Sequence, residues 1–392
     1  MTKFVISVIL LLCVGYVATD LYLPSLPAIV QQLQTTISKG QLTVSLYMVT
    51  FSLSQLLYGP FSERFGRRKI FFFGLFFSLI GTFFCLFSFN ITQLIIGRLL
   101  QGAGLGAGAA LCRPIIRDVA SGDQYAHIAS FLAMSAAFFM AAGPAIGGYL
   151  QVTWGWRSPF LVLALFTLLV IIALYFWLPE TKKELNREAL HTRFFFKSYW
   201  QLLSNPIFMG YALCAAATIG GLFAYFTTSP FLLQNMIGLT PIQYGWSVVI
   251  LGAGLSFGGF LNTHLLKVKG RHFSLLCAVA LLILTTVAML TLALFDYENP
   301  YVIVGPMFFY TLCVAIIMAS ATAGAFTPFP HIAGFAGALF GTLIILGAAV
   351  SSYIMSIFEN QDQLLLALFL VAAAIAATLL QWVAFCFVDK KE

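Results

Sequence analysis

Long apolar stretches, each of about 18 residues or more, recur along the whole chain and limit it to a protein that crosses a membrane many times. Of its residues, 61% are hydrophobic and only 8% are charged. The charged surface that a water-soluble fold of this length needs is therefore missing. Strands of a membrane β-barrel are about ten residues long and alternate in polarity, unlike these stretches. We expect an all-α polytopic membrane protein.

Twelve spans are predicted, each of at least about 17 residues. Their bounds are 4–27, 41–62, 70–89, 93–116, 127–150, 157–178, 206–231, 241–265, 273–295, 300–326, 332–357 and 363–388. The longest polar interruption divides them into an N-terminal half (1–178), a cytoplasmic central loop (179–205) and a C-terminal half (206–392). Within that loop, Phe194–Trp200 is interpreted either as an amphipathic surface helix or as plain linker.

The positions of Lys and Arg predict the orientation. If both termini are cytoplasmic, every one of the 20 Lys and Arg residues lies on the cytoplasmic side except Lys39, Arg157 and Arg98. This bias agrees with the positive-inside rule, which also accounts for the net charge of +7 without nucleic acid as a partner. We therefore expect two cytoplasmic termini.

Two opposite charges are predicted within the membrane. Asp20 is the only acidic residue inside a predicted span, and Arg98 heads the glycine-rich fourth span. Intramembrane charges cost at least about 2.5–3.5 kcal/mol on insertion scales and face a cavity or a partner. At about 1.5 Å per residue, both lie at similar depth, and we predict a direct or water-bridged pair facing a shared cavity. The alternative is that Arg98 extends outward and Asp20 hydrogen-bonds to Tyr16.

Several aromatic residues are candidates for the cavity wall, although each also suits an ordinary packed core. They are Tyr16, Tyr47, Phe223, Tyr225, Phe226 and Tyr310. Two short enzyme-like patterns are interpreted as helix packing instead. The G-x-G-x-x-A pattern at Gly104 and the G-x-S-x-G pattern at Gly254 both lie inside spans, without the strand that nucleotide sites and hydrolase elbows require. The five histidines do not cluster, so no metal site is predicted.

Several motifs, in this order and spacing, resemble those of the major facilitator superfamily, and specifically the twelve-span drug:proton antiporters of the Bcr/CflA type. The motifs are TDLYLPSLP (19–27), GPFSERFGRRK (59–69), RLLQGAG (98–104), AAGPAIGGYL (141–150), SPFLL (229–233) and FPHIAGFAGALFGT (329–342). The resemblance covers most of the chain and implies two six-helix halves. It also associates Arg98 with proton coupling.

The motif between the second and third spans is predicted to form a cytoplasmic gate. Its residues, with two from the end of the fourth span, are Gly59, Glu63, Arg64, Gly66, Arg67, Arg68, Arg113 and Asp118. Glu63 stands where the family more often has aspartate. Carboxylates can pair with these cations or lie at a helix N-terminus, such as that near His331. We expect these contacts to latch the two halves together on the inside.

The fifth-span motif is the antiporter motif of the family, with Gly143, Pro144, Gly147 and Gly148. Proline removes one helical hydrogen bond and glycine permits close packing, which suits a bend, a seal or a tolerated kink.

The resemblance implies a proton-coupled secondary active transporter in a bacterial inner membrane. It would export small amphipathic molecules or drugs by antiport with alternating access. We expect Asp20 to carry the proton: burial favours its neutral form, and a nearby Arg98 favours its ionised form.

Further expectations concern partners and cofactors. They are a small-molecule substrate, the lipid bilayer, a monomeric state, no cofactor besides the coupling proton, and no enzyme activity. Two alternatives of the same fold remain: an exporter of an endogenous metabolite such as a siderophore or amino acid, and an uptake symporter. A channel would need a symmetric pore lining, and the two halves here are unlike.

Overall fold

The computed structural model describes residues 2–182, 185, 192–295, 299–329, 332–358 and 362–388. In the first half, the helices are α1 (Thr2–Asp20), α2 (Leu26–Gln32), α3 (Ile37–Phe65), α4 (Arg67–Leu86), α5 (Ile91–Val119), α6 (Gly122–Trp154) and α7 (Ser158–Trp177). They are followed by α8 (Thr192–Leu203), α9 (Pro206–Phe231), α10 (Pro241–Leu294), α11 (Pro300–Phe326), α12 (Ala333–Ile357) and α13 (Gln363–Val388).

Within these described ranges, twelve helical segments are long and apolar enough to cross a membrane. This confirms the predicted number of spans. Polar side chains mark several helix starts: Asn90, Asn205 and Asn299 accept hydrogen bonds from backbone N–H groups at the beginnings of α5, α9 and α11. These caps satisfy donors that the first helical turn leaves free.

The first span differs from its prediction as one continuous helix. α1 ends at Asp20, a 3₁₀ turn follows at Leu23–Ser25, and α2 starts at Leu26. Pro24 explains the break, because it has no N–H for the carbonyl of Asp20 and its ring would clash with that carbonyl. Asp20 is therefore the last residue of a helix and not a mid-helix residue.

The predicted eighth and ninth spans are confirmed as two helical segments of α10, Pro241–Gly270 and Phe273–Leu294. They meet at a kink at Gly270, whose φ of 77° is a conformation that glycine adopts without strain. Of the two interpretations of Phe194–Trp200, the structure has the helix, which is part of α8. Tyr199 of α8 is buried and meets Phe335 of α12 edge to face, while Trp200 is exposed.

We call the side with loops 33–36, 87–90 and 155–157 the outer side, following the predicted orientation, and the opposite side the inner side. At the outer side, hydrogen bonds between described residues connect the two halves, and three of them are as follows. Gln41 donates to the Thr227 carbonyl (3.2 Å), Gln234 donates to the Pro24 carbonyl (3.1 Å), and Ser38 donates to a carbonyl of α12. One apolar cluster also contains residues from the outer ends of both halves. The outer side is closed in this conformation.

Candidate functional site

Asp20 lies at the break in the first span with its side chain inside the protein. It is only 2% exposed, and neither carboxylate oxygen has a hydrogen-bond partner among the described residues. The C-terminal end of a helix carries partial negative charge, so an ionised carboxylate gains nothing from its own helix. A buried charge without a partner is costly. Asp20 is thus suited to taking up a proton or facing a cationic group.

Arg98 is fully buried, and its main partners are backbone carbonyls. Its Nη1 donates to the Ala18 carbonyl at 2.9 Å and to the Gln101 side chain, and its Nε lies 3.4 Å from the Thr43 carbonyl. The last four carbonyls of a helix have no partner within that helix, and Ala18 belongs to this group because α1 ends at Asp20. Arg98 therefore stabilises the broken end of α1 against α3 and α5.

Two tyrosine rings lie against the Arg98 guanidinium. Its Cζ lies 4.2 Å from the Tyr22 ring centroid and 3.9 Å from that of Tyr47. Such cation–π contacts, away from water, favour the charged guanidinium at this depth. The hydroxyl of Tyr22 is 3.2 Å from that of Thr43, and the Tyr47 hydroxyl accepts a hydrogen bond from Thr19. The guanidinium is thus in contact with two rings whose hydroxyls are themselves bonded to neighbouring side chains.

A direct Asp20–Arg98 ion pair, one of the two predicted forms, does not occur in this conformation. The three ion pairs found among the described residues all lie at the inner side. Among the residues that the structure describes, Nη2 of Arg98 has no hydrogen-bond partner. The predicted alternative does not occur either, because Arg98 is buried and Asp20 is not bonded to Tyr16. The carbonyls of Ala18, at the end of α1, and of Thr43, in α3, bind the guanidinium instead.

Among the predicted cavity residues, Tyr47, Tyr225 and Phe226 are buried in packed core, and Tyr16 is partly exposed. The structure adds two tyrosines that the sequence did not single out, Tyr22 and Tyr244. Tyr244 of α10 is fully buried with its hydroxyl 3.3 Å from that of Ser229. Tyr22 lies in the TDLYLPSLP motif (19–27), and this motif is the sequence signal that could have identified it.

The glycines of the antiporter motif place α6 between the two halves. A Cβ at Gly143 would lie 3.1 Å from the Cβ of Asp20, and one at Gly147 would overlap the Leu21 carbonyl. On the other side, a Cβ at Gly148 would overlap the Pro241 carbonyl at the start of α10. Helix α6 continues through Pro144, whose carbonyl packs against Gly245. The motif therefore lies in a tight seal at the outer side.

Arg67 is the centre of a charged cluster at the inner side, although it is only 2% exposed. Its guanidinium pairs with Glu63 and, at 3.2 Å, with Asp118, and it donates to the Ser62 hydroxyl at 2.6 Å. Gly66 links α3 to α4 with a φ of 99°, which favours glycine. Arg68 donates to the Tyr175 carbonyl at 2.7 Å.

This cluster differs from the predicted latch. Its ion pairs and hydrogen bonds given above connect helix ends within the first half. Beside the cluster, a Cβ added at Gly334 of α12 would lie 3.8 Å from the Arg117 guanidinium. Arg64 is exposed over the Phe65 ring and outside the cluster. Arg113 is also exposed and is absent from the ion pairs of the described residues. Gly59 contacts nothing through its open face.

Three residues of the cluster were missed by sequence reasoning. Glu180, Thr181 and Lys182 follow α7 and contact α4, Asp118 and Glu63, respectively. Each of these contacts joins residues that are more than 60 positions apart in the sequence. Thr181 and Asp118, for example, are 63 positions apart. Such contacts leave no local pattern in the sequence.

Comparisons with known proteins agree with this architecture. The sequence profile of the Major Facilitator Superfamily matches residues 8–352. Multidrug resistance protein D of Escherichia coli is 28% identical over 363 residues, 92% of this chain and 90% of that protein. A bicyclomycin resistance protein homolog of Haemophilus influenzae is 27% identical (93% and 91%), and a chloramphenicol resistance protein of Pseudomonas aeruginosa is 26% identical (87% and 81%).

Solved structures show the same fold. A partially occluded inward-open structure of the xylose transporter XylE from E. coli aligns with a TM-score of 0.71 and 16% identity, covering 97% of each chain. An inward-facing bacterial homolog of the human lysosomal transporter Spinster aligns with a TM-score of 0.74 and 12% identity, covering 97% of this chain and 95% of that one. The prediction of a twelve-helix, all-α major facilitator fold is confirmed, and the chain belongs to the major facilitator superfamily of transporters.

Proposed function

We propose that this protein is a proton-coupled secondary active transporter that exports small amphipathic molecules or drugs by antiport, as expected of the Bcr/CflA type. The observation that carries the proposal is Asp20, a buried carboxylate without a partner, placed where α6 packs between the two halves. The names of the relatives, which refer to multidrug, bicyclomycin and chloramphenicol resistance, support drugs as the substrate class.

The closed outer side supports alternating access. Three hydrogen bonds and the glycine contacts of α6 hold the halves together there, so a substrate bound near Asp20 is separated from the outside. Rocking of the halves would break these contacts and reverse the access. In this proposal the protein needs no cofactor besides the coupling proton. Its partners are a small-molecule substrate and the lipid bilayer. It is a monomer, has no enzyme activity and binds no nucleic acid.

A transport screen tests this function. Purified protein in proteoliposomes is given an imposed pH gradient, and accumulation of chloramphenicol, bicyclomycin and cationic dyes is measured, with amino acids and siderophores as the competing class. The proposal is supported if at least one drug accumulates against its gradient to a higher level than in liposomes without protein. Accumulation of the endogenous metabolites alone would contradict the drug assignment.

Orientation is a separate prediction for the bacterial inner membrane, motivated by the Lys and Arg bias. Reporter fusions that end in segments 33–36, 295–299 and 358–362 are expected to give the periplasmic signal. Fusions that end at Ala120 or in α8 should give the cytoplasmic signal. Two or more reversed signals would overturn the assignment of both termini to the cytoplasm.

Replacing Arg67 by Ala should slow transport of every substrate at least about tenfold, because two carboxylates of the inner cluster lose their buried cation. Equilibrium substrate affinity should stay within a few-fold, since Arg67 lies at the opposite end of the halves from Asp20. Arg64→Ala is the matched control and should transport at the wild-type rate, because Arg64 is exposed and outside the cluster. Loss of affinity for one substrate only would indicate a binding role for Arg67 instead.

A further inference from the structure

The chain segment directly after α7 lies against the Arg67 cluster. We call residues Pro179–Lys182 the strap. Each of its last three side chains contacts a different helix end: Glu180 the start of α4, Thr181 the end of α5 and Lys182 the end of α3. The strap is also the beginning of the loop that joins the two halves, so it connects that loop to the inner ends of four helices.

Glu180 binds the start of α4 through both carboxylate oxygens. They accept hydrogen bonds from the backbone N–H groups of Arg67 (2.9 Å) and Arg68 (3.1 Å). These N–H groups have no partner within the helix, and a carboxylate is favoured at this end of the helix dipole. A side chain at Gly66 would exclude this contact, because a Cβ there would lie 2.5 Å from Glu180 Oε2.

Lys182 and Thr181 bind the two carboxylates that hold Arg67. Lys182 Nζ lies 2.6 Å from Glu63 Oε2, while Glu63 Oε1 faces Arg67. The Thr181 hydroxyl donates to Asp118 Oδ2 at 3.2 Å, the same oxygen that Arg67 approaches. Both carboxylates are thus fixed from two sides, and the position of the Arg67 guanidinium depends on the strap.

We propose that the strap belongs to the inner gate, with Glu180 and Lys182 as positioning residues that set the shape of the inner rim of the first half. This inference rests on the proposed transport function. The rim consists of the ends of α3, α4, α5 and α7, and the second half must fit against it when the inner side closes. Loss of a strap contact lets these ends separate, and inner closure becomes less favourable.

The proposal is tested by inter-half distances in purified protein. Spin labels are placed at Lys69→Cys and Val268→Cys, exposed inner-side residues of the two halves, after the two partly exposed cysteines, Cys277 and Cys386, are replaced by Ser. Lys182→Met and Glu180→Gln should each raise the ratio of long to short distances at least about threefold. Lys182→Met loses one partly exposed ion pair, and Glu180→Gln loses a carboxylate at a helix N-terminus. Lys182→Arg keeps the charge and should restore the wild-type distribution.

Lys197→Met is the matched control, because Lys197 is an exposed cation of the same loop outside the cluster. Lys182 is partly exposed, so its variant is expected to fold even if Glu180→Gln does not. Distance distributions of Lys182→Met that superpose on the wild type would overturn the role of the strap, as would an equal shift in Lys197→Met. The measurement needs no substrate or pH gradient. Absence of transport by the wild type would therefore count against the proposed function and not against the strap.

Discussion

Asp20→Asn is expected to reduce uphill, pH-driven transport to the background of protein-free liposomes. Asn keeps the size of the side chain but cannot exchange a proton. Asp20 is the only acidic residue placed within a predicted span, and it is buried without a partner, so a proton moving between the halves on an acidic side chain has this one evident carrier. A neutral amide also costs less in a membrane than a carboxylate, so the variant should insert and fold.

The measurement is accumulation of a drug against its gradient at several pH values, on protein shown to be monodisperse. Downhill exchange of labelled for unlabelled drug is the internal control, because it needs no net proton transfer and should persist in part. Asp362→Asn is the matched variant, since Asp362 is an exposed carboxylate at the start of α13, and it should transport like the wild type. Accumulation by Asp20→Asn at the wild-type rate would assign the proton to another group, such as Asp118.

Gly148→Val is expected to lower transport at least about tenfold by preventing closure of the outer side. A Cβ at this position overlaps the Pro241 carbonyl and would lie 3.0 Å from Ile242 Cα, both in the opposite half. These are rigid backbone atoms at the start of α10, so the halves must move apart to accept the side chain. The contact is between halves and not within one, and the variant should therefore keep its fold.

Distances between spin labels at Lys39→Cys and Tyr301→Cys, exposed outer-side residues of the two halves, measure this opening. They should lengthen in Gly148→Val. Gly259→Val is the control, since a Cβ at Gly259 meets nothing within 4 Å. Unchanged distances together with wild-type transport by Gly148→Val would show that α6 and α10 do not form a seal.

Hydropathy was sufficient to predict the helical class and the twelve spans, because a membrane requires long apolar helices whatever the detailed packing. The break after Asp20 was also present in the sequence, in Pro24 and Pro27, but the length of the apolar stretch favoured one continuous helix. The prolines prevail because each lacks the N–H that would continue the hydrogen-bond ladder.

The candidate site was less predictable than the fold. Asp20 and Arg98 stand out by charge alone, yet two of the partners of Arg98 are the carbonyls of Ala18 and Thr43, and every residue has a carbonyl. Their contact depends on where α1 ends, which the prediction misplaced. The contacts of Glu180 and Lys182 are equally hard to predict. Ordinary loop charges have no pattern that indicates a contact with α4 or with Glu63, more than 100 residues earlier in the chain.

Proton movement driven by a substrate gradient tests the central claim, proton antiport through Asp20, most directly. Proteoliposomes are loaded with a transported drug and a pH-sensitive dye and are diluted into drug-free buffer of the same pH. Antiport predicts that the lumen acidifies as the drug leaves, and that Asp20→Asn abolishes this acidification. An alkaline shift would indicate symport, and drug efflux without proton movement, or equal acidification in Asp20→Asn, would contradict the account.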